Sequence, residues 1–191
     1  MPLYPCTSRD LSCISFRLFN TFEKTCLMKK RELKISYAEF DNESELKPTD
    51  RELLEKAKGA ADMAYAPYSN FYVGAALLLK NGKIITGNNQ ENVAYPSGLC
   101  AERVAIYAAG ASYPDSAIDT IAVTCKSKAF EVNEPLSPCG ACRQAIAEYE
   151  TRHNTKIRIL LAGETGIIRM VESIRDLLPF MFEAEELKKE I

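Results

Sequence analysis

The chain has 191 residues, 47% of them hydrophobic and 26% charged, with a formal net charge of -2. That length suits one domain with a sizeable core, and a slightly acidic balance gives no electrostatic reason to expect DNA or RNA as a partner. No apolar run reaches the roughly 20 residues of a membrane span and the N-terminus is a poor secretory signal; with an odd count of seven cysteines, a reducing, cytoplasmic setting fits better than a disulfide framework.

Residues 1–27 carry Cys6, Cys13 and Cys26 without sustained periodicity and end just before Met28-Lys29-Lys30-Arg31. We read them as an upstream extension, disordered or absent in the working protein. A charged lead-in follows over 28–48, with Ile35 and Tyr37 making a short edge contact, and then one domain over 49–191. Thr49-Asp50-Arg51-Glu52 has the form of a capping box. Leu53, Leu54, Ala57, Ala60, Ala61 and Ala64 continue at helical spacing until Pro67, so a helix is expected over about 50–65.

Phe71 to Lys80 reads as a buried strand, Asn81-Gly82 as a two-residue hairpin turn, and Lys83 to about Gly87 as its partner. Gly74 inside the first strand suggests close approach of another backbone. A second helix is expected from near Cys100 to Gly110, a strand over Ile118–Cys125, and a helix capped by Ser137 and Pro138 that runs to about Glu150. Two strands then follow, Lys156–Ala162 and Ile167–Val171. Their four-residue link, Gly163 to Gly166, cannot make a parallel crossover, so they must be antiparallel neighbours. With a short helix over 172–178, this gives an α/β fold: a three-layer α/β/α sandwich around a five-stranded mixed sheet.

Two runs carry chemistry, Cys100-Ala101-Glu102-Arg103 and Ser137-Pro138-Cys139-Gly140-Ala141-Cys142-Arg143-Gln144. Cys139 and Cys142, three apart at a helix start, share a face, and the helix N-terminus favours thiolate, the form that binds metal. A redox dithiol is the competing use, disfavoured by the pair's late position and by a third cysteine beside Glu102. Cys100, Cys139 and Cys142 are therefore read as three zinc ligands with an open fourth position, the pattern of a catalytic rather than a structural zinc. Cys125 is the possible fourth ligand but reads more simply as core, and His153 sits in a polar, solvated run.

Glu102 lies about 200° around a helix from Cys100, awkward for a ligand but suited to moving the proton of a metal-activated water. Three thiolates leave the zinc site negative. An arginine donating to the sulfurs would offset that charge, and Arg103 is favoured over Arg143.

Cys-Ala-Glu followed by Pro-Cys-Gly-Ala-Cys resembles the zinc-dependent cytidine deaminase superfamily, whose signature is three zinc-binding residues with a proton-shuttling glutamate. Tyr68-Ser69-Asn70-Phe71, Val73-Gly74-Ala75-Ala76-Leu77 and Gly87-Asn88-Asn89-Gln90-Glu91-Asn92 extend the likeness to the free-nucleoside cytidine deaminases, over about Thr49 to Phe182. The resemblance implies Cys100, Cys139 and Cys142 as zinc ligands and Glu102 as proton shuttle. It implies Asn89 and Glu91 at the ribose hydroxyls and Phe71 near the base. Asn89 and Glu91, two apart on a strand, would share a face. The Cys-x-Glu form resembles the short homotetrameric branch, in which Phe182 would reach a neighbouring subunit's site.

The expected reaction is hydrolytic deamination of cytidine and 2'-deoxycytidine in pyrimidine salvage. The rivals are a deaminase of a related aminopyrimidine such as blasticidin S, and a non-catalytic structural zinc module. The acidic tail after Phe182 and the N-terminal extension depart from the family pattern.

Overall fold

The computed structural model describes residues 29–184 and Leu187, so the reading of 1–27 as an extension falls outside the described residues. The chain divides into units 1–34 and 35–191, and all the strands and helices named below lie in the second. Six strands form one sheet: β1 (Ala38–Phe40), β2 (Phe71–Leu79), β3 (Ile84–Asn88), β4 (Ile118–Ser127), β5 (Arg158–Ala162) and β6 (Ile168–Val171), in the order β1-β6-β5-β4-β2-β3. Three helices accompany them, α1 (Pro48–Asp62), α2 (Ala101–Ser112) and α3 (Gly140–His153). The pair β4/β5 is parallel, with α3 in the crossover between them, and every other pairing is antiparallel, β5/β6 included.

The sheet thus has six strands where five were expected. The additional strand is β1, within the charged lead-in. Its three residues are too few to show a period of two, and its partner β6 is far away in sequence, with Glu39 opposite Arg169. An ion pair at 3.0 Å between these two side chains joins the strands, and Phe40 packs on the core beneath α1.

Alternation along the central strands sorts their side chains into two cores. Ala75, Leu77, Leu79, Ile121, Val123, Ile159 and Leu161 pack with Ala105, Ile106 and Ala109 of α2 and Ile146 and Ala147 of α3. Ala76, Ala122, Leu160 and Ala162 face the other way, against Leu53, Leu54 and Ala57 of α1. Two glycines set how closely the helices lie. A Cβ on Gly74 would stand 1.9 Å from the Ala57 carbonyl oxygen of α1, and one on Gly87 would stand 2.6 Å from the Ala101 carbonyl oxygen of α2. The close approach expected at Gly74 is present, and Gly87 does the same for the helix that carries Cys100 at its start.

Several boundaries differ from the expected ones. Helix α1 begins at Pro48, with Lys47 as a cap whose side chain makes no capping bond; a proline at the first helical position is preorganised for it. Thr49 is therefore inside the helix and no Thr49/Glu52 box forms. Asp50 is buried and accepts from both Nη1 (3.0 Å) and Nη2 (2.9 Å) of Arg158.

The β2–β3 turn has three residues, Lys80 to Gly82: the Gly82 amide donates to Leu79 O at 2.9 Å, Leu79 N donates to Lys83 O at 2.9 Å, and Gly82 takes φ +81. This is the three-residue hairpin with glycine in the left-handed position. Gly110 does not end α2; the helix runs to Ser112, and Gly110 makes room for the Tyr149 hydroxyl of α3. Helix α3 is capped by Cys139 rather than by Ser137 and Pro138. The expected helix over 172–178 is one 3-10 turn, Ile174–Asp176, held by the Glu150 carboxylate, which accepts from Ser173 Oγ (2.8 Å) and Ile174 N (3.0 Å).

Because Gly87 faces the backbone of α2, Gly87→Ala must push that helix off the sheet. Overpacking of this kind typically costs roughly 1–3 kcal/mol, and the urea midpoint should fall accordingly; an unchanged midpoint would contradict the contact.

Candidate metal and nucleoside site

Cys100 and Cys139 occupy equivalent places, each the extended residue that precedes a helix (φ -74, ψ 153 and φ -66, ψ 168), and neither uses its side chain as a cap. Their thiols are left free to face each other. Because α2 and α3 pack on the same face of the sheet, the two helix starts meet. Cys142, one turn into α3 and fully buried, completes the group.

The three Sγ atoms lie within 4.8 Å of one another, with Cys100–Cys139 at 3.8 Å and Cys139–Cys142 at 3.4 Å. Three thiolates on a tetrahedral zinc, each about 2.3 Å from it, would stand ~3.8 Å apart. The spacing and the sulfur chemistry fit zinc. Cys125 is not in the group; it lies in β4 as part of the buried core, as expected for a structural cysteine. His153, at the far end of α3, contacts Tyr149.

Arg103, one turn after Cys100, donates from Nη2 to Cys100 Sγ at 3.7 Å. Its Nε is buried and has no hydrogen-bond partner among the described residues. Arg143 points elsewhere, to the Pro138 and Leu177 carbonyls. A hydrogen bond from the Cys142 thiol, aided by Arg103, holds Cys100 down to about 5. The Cys142 thiol is pushed up by the same contact with Cys100 and by burial. Glu102 is 4% exposed. Burial raises its carboxyl above the usual range, and the Cys100 thiolate adds to the effect.

Glu102 and Arg103 line one end of a cavity of about 690 Å³, together with Cys100 and Cys139. Asn89, Glu91 and Phe71 line it too, so the structure brings all of these sequence-derived site residues to one cavity, with Cys142 at the sulfur group behind it. Gln90 fastens the two ends together, exchanging backbone hydrogen bonds with Leu99 at 2.9 and 3.0 Å, next to Cys100.

The Asn89 amide is bound at both ends to β2: Oδ1 accepts from Val73 N at 2.8 Å and Nδ2 donates to Phe71 O at 2.9 Å. That leaves one N–H and one lone pair for a ligand. The Glu91 carboxylate accepts from Tyr68 N (2.9 Å), Ser69 N (3.3 Å) and the Ser69 hydroxyl. Partial burial opposes ionisation of Glu91, but these three donors outweigh it and hold its carboxyl below the usual value.

Phe182 does not line this cavity. It is 73% exposed, with its backbone bound by the Gln144 amide through Phe182 N (3.2 Å) and Phe182 O (2.9 Å). Several lining residues went unnoticed in the sequence. Ser69, which orients Glu91, stands in a turn whose other role is to place Asn70 at φ +53. Tyr95, in a 3-10 turn, and Leu136 are further walls, and nothing in their local pattern marks them.

The family described as "Cytidine and deoxycytidylate deaminase zinc-binding region" matches residues 47–155. A cytidine deaminase of Halalkalibacterium halodurans is 40% identical over 139 residues, 72% of this chain and 98% of its own. One from Sporosarcina psychrophila is 40% identical over 135 residues, covering 71% and 92%. Among solved structures, the cytidine deaminase of Burkholderia pseudomallei superposes with a TM-score of 0.59 at 41% identity, over 69% of this chain and 97% of that one.

A zinc ion on Cys100, Cys139 and Cys142 should shield all three from iodoacetamide, and a chelator should expose them, as read by peptide mass spectrometry. Burial pushes the Cys125 thiol up to about 11, so its reactive thiolate is scarce at neutral pH and grows only as pH rises toward that value. Cys125 should stay slow at neutral pH with or without metal. Rapid alkylation of Cys100 in the zinc-loaded protein would contradict the ligand set.

Proposed function

Because the chain belongs to the cytidine and deoxycytidylate deaminase family, we propose that it hydrolyses cytidine and 2'-deoxycytidine to the uridines and ammonia, as in pyrimidine salvage. One observation carries this reading: the thiols of Cys100 and Cys139 and the buried carboxylate of Glu102 line a cavity large enough for a nucleoside, with Cys142 completing the sulfur group behind them. A structural zinc module would need a fourth protein ligand at that opening.

Cys100, Cys139 and Cys142 would hold zinc, which when bound would supply the Lewis acidity that makes water a nucleophile at neutral pH. Glu102 does the proton work. Its carboxylate accepts the proton that water gives up on attacking C4 of the pyrimidine and delivers it to ring N3. A second proton, from the hydroxyl now on C4, passes through the same carboxylate to the exocyclic amine, which leaves as ammonia as the C4–N bond breaks and the C4 carbonyl forms. The low-dielectric setting that raises the Glu102 carboxyl makes it a better proton acceptor when ionised and an available acid once protonated. Arg103 draws electron density from the Cys100 sulfur and so limits how far three thiolates weaken the metal's pull on water.

At the other end, Glu91 and the free N–H and lone pair of Asn89 meet the ribose hydroxyls, and Phe71 stands beside the base. Among the described residues, Arg103, already engaged with the Cys100 sulfur, is the one basic residue lining the cavity. A phosphate would meet no free cation there among the described residues and would be repelled by the Glu91 carboxylate, which supports the nucleoside over the nucleotide as substrate. In a homotetramer the exposed aromatic rings of Phe180 (88%) and Phe182 (73%) would be covered, with Phe182 extending toward a neighbouring subunit's cavity. Among the described residues no helix is long and apolar enough to cross a membrane, and we place the enzyme in the cytoplasm.

Glu102→Gln should keep its zinc yet lose turnover by roughly 10²–10⁴-fold, the range for removal of a general acid–base, followed as the ultraviolet loss of cytidine absorbance. A zinc-loaded, active variant would refute the role. Glu91→Gln should act mainly on KM, raising it for cytidine by on the order of 10-fold, the worth of a charged hydrogen bond. An unchanged KM would remove Glu91 from the sugar site.

A further inference from the structure

Arg143 follows the metal-binding pair directly, yet its guanidinium turns away from the sulfurs. Nε donates to the Pro138 carbonyl at 2.8 Å and Nη1 to the Leu177 carbonyl at 2.7 Å. Pro138 immediately precedes Cys139, in extended chain ahead of the first turn of α3. The Arg143 backbone amide meanwhile donates to the Cys139 carbonyl at 2.9 Å. One residue therefore grips the chain on both sides of Cys139, holding the preceding carbonyl with its side chain and the cysteine's own carbonyl with its amide.

The second arm reaches a segment that is itself anchored. Leu177 packs on the core beneath α2 and α3. The turn before it is held by Glu150, lower on the same helix, and Gln144 binds the Phe182 backbone in both directions. The segment 173–182 is thus fastened along α3 at three levels, and Arg143 is the level that touches the metal loop.

We propose that Arg143 is a positioning residue for the metal: by bridging the Pro138 and Leu177 carbonyls it presets the Cys139 thiolate and slows loss of zinc. It rests on the reading of Cys100, Cys139 and Cys142 as ligands. The planar fork of arginine matters because two donors must reach two carbonyls from different segments at once. Lysine keeps the charge, but its three N–H groups sit on one nitrogen at the end of a flexible stem and do not reproduce the spread of the fork.

The test measures the rate at which zinc passes from the full-length, zinc-loaded protein to a chromogenic chelator, for the parent, Arg143→Gln and Arg143→Lys. The outer partners of metal ligands are typically worth 10–100-fold in affinity, so both variants should release zinc on the order of tenfold faster, with KM for cytidine unchanged. Equal release from parent and Arg143→Gln overturns the proposal. So does fast release from Arg143→Gln alone with Arg143→Lys like the parent, since charge and not the bridge would then be responsible. If Arg143→Gln does not fold, Arg143→Lys decides by itself: parent-like release overturns the bridge. A parent chain that takes up no zinc overturns the ligand reading and the bridge with it.

Discussion

Three sulfurs gathered within 4.8 Å are the constraint on which the rest of the molecule depends. Two thiolates 3.8 Å apart repel by about 4 kcal/mol even at an effective dielectric of 20, so the cluster must be offset from outside. It lies at two helix N-termini, whose dipoles favour negative charge, Arg103 donates to the Cys100 sulfur, and a zinc ion would neutralise most of what remains. For the helices to contribute, their starts must coincide, which requires α2 and α3 to lie side by side on one face of the sheet. Gly87 under α2 and Gly110 against Tyr149 make those contacts short enough. Placing the metal site is therefore a matter of backbone packing as much as of ligand identity.

The Asn89 and Glu91 end of the cavity, proposed above to meet the ribose, is built on different principles. Its polar groups are engaged before any ligand arrives, Asn89 along the edge of β2 and Glu91 on the amides and hydroxyl of the 68–69 turn. Such prior engagement fixes direction and leaves only part of each group's hydrogen-bonding capacity for substrate. The Gln90–Leu99 bridge joins this end to the residue before Cys100, so two backbone hydrogen bonds tie the segment of Asn89 and Glu91 to the start of α2.

Much of this was legible in the sequence because the strongest signals are local. Cys139 and Cys142 are one helical turn apart, Glu102 follows Cys100 by two, and the link between β5 and β6 is too short for a crossover. What escaped was set at long range. Strand β1 exists because β6, far along the chain, presents a free edge, and three residues carry no period of their own. Lys47 rather than Thr49 starts α1 because Pro48 fits the first helical position and Asp50 is drawn inward to Arg158. Gly110 looked like a helix terminator and is instead a contact made by Tyr149 of another helix. Arg103 and Arg143 could not be separated by sequence beyond a preference, since both follow a ligand closely; only the fold shows one at the sulfurs and the other at two carbonyls.

A zinc ion on the three cysteines, with Glu102 beside it, would deaminate a free nucleoside. The most direct measurement is the ultraviolet absorbance of cytidine incubated with the purified protein, first as isolated, then after a chelator, then after zinc is restored. The absorbance should fall, stop falling on chelation and fall again with zinc. Zinc-loaded protein that leaves cytidine untouched, or chelated protein that still consumes it, would contradict the claim.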